Sequence, residues 1–191
     1  MKAVEKERQT RETEVRLKLD PRGGAVRVET PVGFLNHMLE LLAYHAGWGL
    51  ELSARGDLEV DAHHTVEDVG IVLGEALEEA LGDRAGLSRY GEATVPMEEA
   101  LAQAVVDLVR RPFFRFEGRF PAERVGQFDL ELVPEFLKAL AMNGRFTLHV
   151  RLFYGENAHH MAEAVFKALA VALSRALSPL EGGPRSTKGV L

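Results

Sequence analysis

One short motif occurs twice in this chain. Residues 63–67 read HHTVE and residues 159–163 read HHMAE, so both fit the pattern HHxxE. The surroundings repeat as well, because HMLELLAYHAGW, beginning at His37, can be aligned with EFLKALAMNGRF, beginning at Glu135. Self-similarity of this kind indicates a duplicated structural unit. The fold must therefore accommodate the same half twice.

Hydrophobic periodicity predicts the same order of elements in each half. Alternating residues 13–19 and 25–29 predict a two-stranded hairpin, and the spacing after Val32 predicts a helix, a strand and a second helix. From Leu101 the ββαβα order recurs. We therefore expect an α+β fold made by tandem duplication of a ββαβα half-domain, with antiparallel four-stranded sheets and helices on one face. The two helix layers could pack together, or the halves could share a core.

The boundaries follow from the repeat. We expect the first half at residues 1–90, the second at residues 91–180 and a C-terminal substrate-binding tail at residues 181–191. The tail reads EGGPRSTKGVL, and its Gly, Pro, Ser, Thr and Lys residues are typical of a segment that an anionic ligand could order.

Composition narrows the possible functions. The 191 residues contain no run of about 18 apolar residues, and the first 14 are too polar for a signal peptide, so we expect a cytoplasmic protein without a membrane contact. The net charge of -6 argues against nucleic acid as a partner. Since the chain has no cysteine, His and carboxylate side chains must hold any metal ion.

The HHxxE motifs are the strongest chemical signal. On a helix, the first His and the Glu lie one turn apart on one face, whereas the second His points about 100° away. One motif can thus offer ligands to two metal centres. Four histidines and two carboxylates suit divalent transition ions such as manganese, iron or zinc. A simpler interpretation, that paired histidines merely cap helices, is weakened by their recurrence in register.

The repeat adds one candidate ligand to each half, because His37 overlays Glu135. We predict two pseudo-symmetric sets of ligands. They are His37, His64, His159 and Glu163 for one ion, and His63, Glu67, Glu135 and His160 for the other.

Longer motifs carry a resemblance to a known family. The segments GFLNHMLELLAYHAG, DAHHTVEDVGIVLGEAL, LSRYG, PMEEAL, RRPFF, TLHV, GENAHHMAEAVFKALA and PRSTKGVL stand in the order found in imidazoleglycerol-phosphate dehydratases. The chain resembles that family over nearly its whole length. The resemblance implies halves like ribosomal protein S5 domain 2, a homo-oligomer of 24 subunits built from trimers, and paired Mn²⁺ sites at subunit boundaries.

The resemblance also implies roles for individual residues. The family's metal ligands fall on the eight residues of the two sets, although many relatives have His where this chain has Glu135. The substrate-binding residues that it implies are Glu12, His45, Arg89, Arg111, Lys167, Ser186 and Lys188. Any single Arg or Lys could equally be solvated surface, since the chain has 23 of them.

The implied reaction is dehydration of D-erythro-imidazole-glycerol phosphate to imidazole-acetol phosphate in histidine biosynthesis. The expected route passes through an imidazolate that bridges two divalent ions and a diazafulvene-like intermediate. The candidate catalytic carboxylates for proton transfer are Glu163, Glu12 and Glu67.

Two other functions use similar ligands. A dinuclear metallohydrolase would activate water with paired ions, and a structural metal site would hold an oligomer together without any reaction. Neither accounts for LSRYG, RRPFF and PRSTKG.

Overall fold

The computed structural model describes residues 1–180 and confirms an α+β fold with two four-stranded sheets. The first half contains β1 (Val4–Gln9), β2 (Thr13–Asp20), β3 (Val26–Glu29), α1 (Gly33–Ala46), β4 (Gly49–Gly56) and α2 (His63–Leu81). The second half contains β5 (Tyr90–Met97), β6 (Ala100–Asp107), β7 (Phe113–Glu117), a short hairpin of β8 (Arg124–Val125) and β9 (Phe128–Asp129), α3 (Leu132–Asn143), β10 (Thr147–Tyr154) and α4 (Ala158–Ala176).

The two sheets have the same topology. Their strand orders are β1-β2-β4-β3 and β5-β6-β10-β7. In each, three strands pair antiparallel and the last edge strand is parallel to its neighbour, β3 to β4 and β7 to β10. The prediction of wholly antiparallel sheets was therefore wrong at one edge of each sheet.

The predicted hairpin was also wrong. β2 and β3 are consecutive in sequence, but β4 lies between them and pairs with both. Each half also begins with a strand that the periodicity did not reveal, β1 or β5. β1 reads VEKERQ and buries only Val4, so apolar alternation is almost absent from it. The order in each half is thus βββαβα, with the extra β8–β9 hairpin in the second.

The helices form the centre of the molecule. α2 packs on β1 and β2, α4 packs on β5 and β6, and the two helix layers meet where α1 contacts α4 and α2 contacts α3. The buried apolar side chains of both halves form one continuous cluster. The two arrangements left open by the sequence therefore occur together, since helix layer packs on helix layer and the halves share one core. The first helix of each half therefore lies against the second helix of the other.

Two glycines have distinct tasks in these helices, one at a helix end and one in a helix–helix contact. Gly47 ends α1 in the left-handed backbone conformation, with φ of 74°. Residues other than glycine adopt this conformation only at a cost in free energy. Gly74 lies where α2 approaches α3, and a Cβ there would come within 2.7 Å of the Leu140 carbonyl oxygen.

Within residues 1–180, none of the helices combines the length and apolar character needed to cross a bilayer.

Candidate active site

Three predicted ligands converge where α1 of the first half meets α4 of the second. His37 Nε2 lies 3.0 Å from Glu163 Oε1, and His159 Nε2 lies 3.1 Å from the same oxygen. The three atoms fall within 4.8 Å of one another, the spacing of ligands around one ion. Helix packing between the halves has thus assembled two imidazole nitrogens and one carboxylate oxygen.

Glu163 carries the charge of this group. The residue is buried, and its second oxygen, Oε2, accepts a hydrogen bond of 2.6 Å from Lys167 Nζ. Burial raises the pKa of Glu163, but hydrogen bonds from Lys167 and His37 outweigh this and bring the pKa to about 2. The carboxylate is therefore ionised at neutral pH, as a metal ligand must be.

His45 and Lys167 lie beside the same group. Partial burial and the charge of Lys167 lower the pKa of His45, while Glu163 opposes them. Lys167 Nζ also lies 3.1 Å from Met97 Sδ. Five residues predicted for the site are thus gathered here: His37, His45, His159, Glu163 and Lys167.

The second histidine of each HHxxE motif faces another group. The rings of His63 and His64 are nearly perpendicular, at 85°, and those of His159 and His160 are at 76°. His64 Nδ1 lies 3.0 Å from Asp57 Oδ2 and 3.8 Å from Glu12 Oε2.

His160 has an equivalent environment. Its Nδ1 lies 2.9 Å from Glu99 Oε2 and 3.9 Å from Glu98 Oε2. Hydrogen bonds to Glu99 and to Asp57 raise the pKa of His160 and of His64, respectively. The second motif therefore directs its two rings to different carboxylate-containing groups, as its helical spacing predicts, and in the first motif His64 contacts such a group.

Short polar side chains fix the start of both helices. The Asn157 side chain accepts hydrogen bonds from the backbone N–H groups of His159 and His160, at 2.9 Å and 3.4 Å. Asp61 accepts from His63 N at 2.7 Å. Because these bonds satisfy free N–H groups of the first turn, they hold the histidine-bearing turns in place.

The remaining predicted ligands lie in the other interhelical contact. Glu135 stands in the first turn of α3, and α3 packs against α2, which carries His63 and Glu67. In the part of the chain that the structure describes, none of these three belongs to a group of ligand atoms within 4.8 Å. Glu135 Oε2 lies 3.5 Å from Lys138 Nζ. The second ligand set stays a prediction.

A cleft opens next to the first group of ligands. Its volume is about 890 Å³, within the range of small-molecule sites. His37 and His159 form part of its wall, together with Phe34, Val60 and the β8–β9 hairpin. A small substrate in this cleft could reach both imidazoles.

Two of the predicted substrate-binding residues, Arg89 and Arg111, lie far from this cleft. The Arg89 backbone N–H donates to the carbonyl of Ala176, near the C-terminal end of α4, whereas His160 lies at its start. An α-helix rises about 1.5 Å per residue, so about 24 Å separates these two positions. The backbone of Arg111 is near the same end, since its carbonyl accepts from Thr147 Oγ1 at the beginning of β10.

Arg89 is held firmly at that end. Its Nε and Nη2 donate to the two carboxylate oxygens of Asp107, at 2.7 Å and 3.1 Å. This pairing raises the pKa of Arg89. Arg111 is exposed. The predicted metal ligands at the start of α4 and these two arginines therefore lie near opposite ends of that helix, while Ser186 and Lys188 lie outside the described residues.

Apart from Glu12, sequence reasoning missed the carboxylates that contact Arg89 and the second histidine of each HHxxE motif, which we call the outer histidines, His64 and His160. Asp57 follows β4 without any motif, and Asp107 ends a strand among apolar residues. Glu98 and Glu99 belong to PMEEAL, which was noted as a family segment without a role for its acids. The duplication was a usable signal, because Glu12 and the pair Glu98–Glu99 occupy the turns between the first two strands of their halves.

Comparison with known proteins identifies one family. The family model for imidazoleglycerol-phosphate dehydratase, IGPD, matches residues 30–173. The chain is 56% identical to the enzyme of that name from Desulforudis audaxviator, over 100% of this chain and 98% of the relative. It is 50% identical to that of Bacillus subtilis over the full length of both.

Solved structures lead to the same family. The crystal structure of the Staphylococcus aureus dehydratase superposes with a TM-score of 0.83 at 40% identity, covering 93% of this chain and 99% of that one. That of Pyrococcus furiosus IGPD in complex with (S)-C348 gives 0.86 at 37% identity, covering 97% and 100%. With identity of this level over whole chains and the same fold, the chain belongs to the imidazoleglycerol-phosphate dehydratase family, whose members are hydro-lyases.

Proposed function

We propose that this protein dehydrates imidazoleglycerol phosphate to imidazole-acetol phosphate in histidine biosynthesis. Its proposed cofactors are two divalent metal ions, with Mn²⁺ as the preferred ion. Family membership supports the reaction. The observation that carries the metal dependence is the convergence of His37, His159 and Glu163 between the two halves.

The donor atoms suit such an ion. Two imidazole nitrogens and an ionised carboxylate oxygen form a mixed N/O set that binds first-row divalent metals. His37, His159 and Glu163 would hold one ion, and His64 is the fourth ligand predicted for it. His63, Glu67, Glu135 and His160 would hold the second. When bound, the ions would act as Lewis acids toward the substrate ring.

The protein's own groups divide the remaining tasks. Lys167, which already contacts Glu163 Oε2, neutralises charge next to the cleft, and His45 lies beside it. Glu12 is exposed and stands 3.8 Å from His64 Nδ1, so its carboxylate can accept a proton close to a metal ligand. Glu163 and Glu67 are the alternatives for proton transfer. Arg89 and Arg111 would bind the phosphate.

A single subunit does not complete this site. About 24 Å of helix α4 separates the Arg89 backbone from His160, a greater distance than a small phosphorylated substrate spans. We therefore propose that arginines of one subunit serve the metal ligands of another. This separation supports a homo-oligomer with active sites at subunit boundaries, and the resemblance supplies the expected 24 subunits built from trimers.

Turnover tests this function. Purified protein is stripped of metal, supplied again with Mn²⁺ and given imidazoleglycerol phosphate, and the absorbance of the enolised product is followed. We expect product only after Mn²⁺ is restored, and no activity on a panel of phosphoesters and peptides. A folded, Mn²⁺-loaded protein that leaves the substrate intact but hydrolyses the panel would instead be a metallohydrolase.

A further inference from the structure

Glu99 joins the turn between β5 and β6 to the beginning of α4. Its Oε1 accepts hydrogen bonds from two backbone N–H groups, those of Glu156 at 3.1 Å and Asn157 at 2.7 Å. Its other oxygen, Oε2, lies 2.9 Å from His160 Nδ1. Both carboxylate oxygens are therefore engaged, and each has a fixed partner.

These contacts determine where His160 carries its proton. An ionised carboxylate has no hydrogen to donate, so the short contact is a hydrogen bond only if Nδ1 of His160 bears the hydrogen. In the neutral ring, Nε2 then has the free lone pair that a metal ion requires. The ring is also prevented from rotating, because Glu99 is itself held by the two backbone N–H groups.

We propose that Glu99 is a positioning residue that keeps the His160 proton on Nδ1 and so presents Nε2 as the metal-binding atom. The inference rests on the proposed function, in which His160 is a metal ligand. It assigns a task to an acidic residue of PMEEAL that lies outside both predicted ligand sets.

The first half has the same arrangement, built from a different place in the chain. His64 Nδ1 lies 3.0 Å and 3.2 Å from the two oxygens of Asp57, which follows β4 rather than the turn between β1 and β2. The recurring feature is therefore a carboxylate on Nδ1, although the residue and its position differ. A carboxylate on Nδ1 of both His64 and His160, supplied from different positions in the chain, is expected if this hydrogen bond is required at each histidine.

The variant Glu99→Gln, compared with a control of equal charge, separates the effect on the His160 proton from the effect of losing a negative charge. The amide oxygen can keep the two backbone hydrogen bonds, which turns the NH₂ group toward His160. Since NH₂ donates, Nδ1 becomes the acceptor and the ring proton moves to Nε2. Glu98→Gln is the matched control, because Glu98 is exposed, lies 3.9 Å from Nδ1 and undergoes the same loss of charge.

The first readout needs neither metal nor activity. ¹⁵N NMR of the metal-free protein, at a pH where the rings are neutral, reports the tautomer of His160. We expect Nδ1–H in the wild type and in Glu98→Gln, and Nε2–H in Glu99→Gln. A wild-type His160 with its proton on Nε2 overturns the proposal, and this spectrum suffices even if the variant does not fold.

The second readout is Mn²⁺ affinity, measured by EPR of free Mn²⁺ during titration. Loss of a carboxylate behind a metal-ligating His typically weakens metal binding about 10- to 100-fold. We expect one of the bound ions to be weakened by at least about tenfold in Glu99→Gln and by less than about twofold in Glu98→Gln. Equal affinities in the two variants would overturn the proposal. Turnover by the wild type is a separate test, so a failure of the proposed function is recognised independently.

Discussion

A single carboxylate, Glu163, connects the two halves of the protein at the site. One oxygen contacts His37 from the first half and His159 from the second, and the other contacts Lys167. The sequence predicted all four residues, His159 and Glu163 from the repeated motif, His37 from the overlay with Glu135, and Lys167 from the family segment. It did not predict Asp57, Glu99 or Asp107, because their tasks depend on which turns the fold brings next to His64, His160 and Arg89.

Replacing Glu163 by Gln tests its place in the metal site. The amide preserves the shape but loses the negative charge, so we expect Mn²⁺ affinity to fall at least about tenfold and product formation to fall at least about 100-fold. Glu40→Gln is the control, since Glu40 is exposed on α1, one turn from His37. Mn²⁺ titration and product absorbance measure both effects. Equal Mn²⁺ binding in the two variants would remove Glu163 from the ligand set.

At the scale of elements, the strongly patterned segments were predicted and the others were not. β2, TEVRLKLD, has a buried side chain at every second position, and α4 carries apolar residues along its whole length, most of them buried. β1 has one buried side chain, and β5 contains Pro96 and Gly91, which obscure a strand pattern. Strand partners were beyond the sequence, since insertion of β4 between β2 and β3 depends on where α1 returns the chain.

The turn after β2 gives a pH-dependent prediction. Hydrogen bonds from the Arg22 side chain and backbone lower the pKa of Asp20 to about 2 from its ordinary 3.8. Because the folded-state pKa is lowered, the stabilisation is present above pH 3.8 and is lost as pH falls toward 2. NMR titration should find the pKa of Asp20 near 2 in the wild type and higher in Arg22→Met. An unchanged value in the variant would mean that Arg22 does not contact the carboxylate in solution.

The close approach of α2 and α3 gives a second prediction at this scale. A Cβ at Gly74 would lie 2.7 Å from both the Gly144 nitrogen and the Leu140 oxygen, whereas a Cβ at Gly33 meets nothing within 4 Å. We expect Gly74→Ala to lower the free energy of unfolding by about 1–3 kcal/mol through overpacking. Gly33→Ala should leave it unchanged or raise it by up to about 1 kcal/mol. Urea denaturation compares them, and equal stabilities would show that the helices are farther apart.

At the scale of the whole molecule, the duplication places the two predicted ligand sets at two interhelical contacts, α1 with α4 and α2 with α3. The overlay of the repeats predicted which residues of the two halves correspond to each other. The separation of Arg89 and Arg111 from the histidines could not be predicted, because it depends on which end of α4 and β10 each residue occupies. The proposal that sites are shared between subunits therefore rests on the fold combined with the resemblance, and on neither alone.

Subunit mixing tests this sharing. Arg111→Ala should lose phosphate binding and Glu163→Gln should lose the metal site, so each protein alone is expected to be inactive. If one subunit supplies Arg111 and another supplies Glu163, co-refolded mixed oligomers of equal parts should recover about a quarter of the wild-type activity, since about a quarter of the sites have both intact groups. A mixture as inactive as its components would place the complete site within one subunit.

The central claim is that helices from the two halves assemble a metal centre from His37, His159 and Glu163. Anomalous diffraction from crystals grown with Mn²⁺ tests it most directly, because the signal locates the ion without assumptions about its ligands. The account predicts a peak in contact with His37 Nε2, His159 Nε2 and a Glu163 carboxylate oxygen. If crystals of protein that is active with Mn²⁺ show anomalous peaks elsewhere and none at these three side chains, the claim is contradicted.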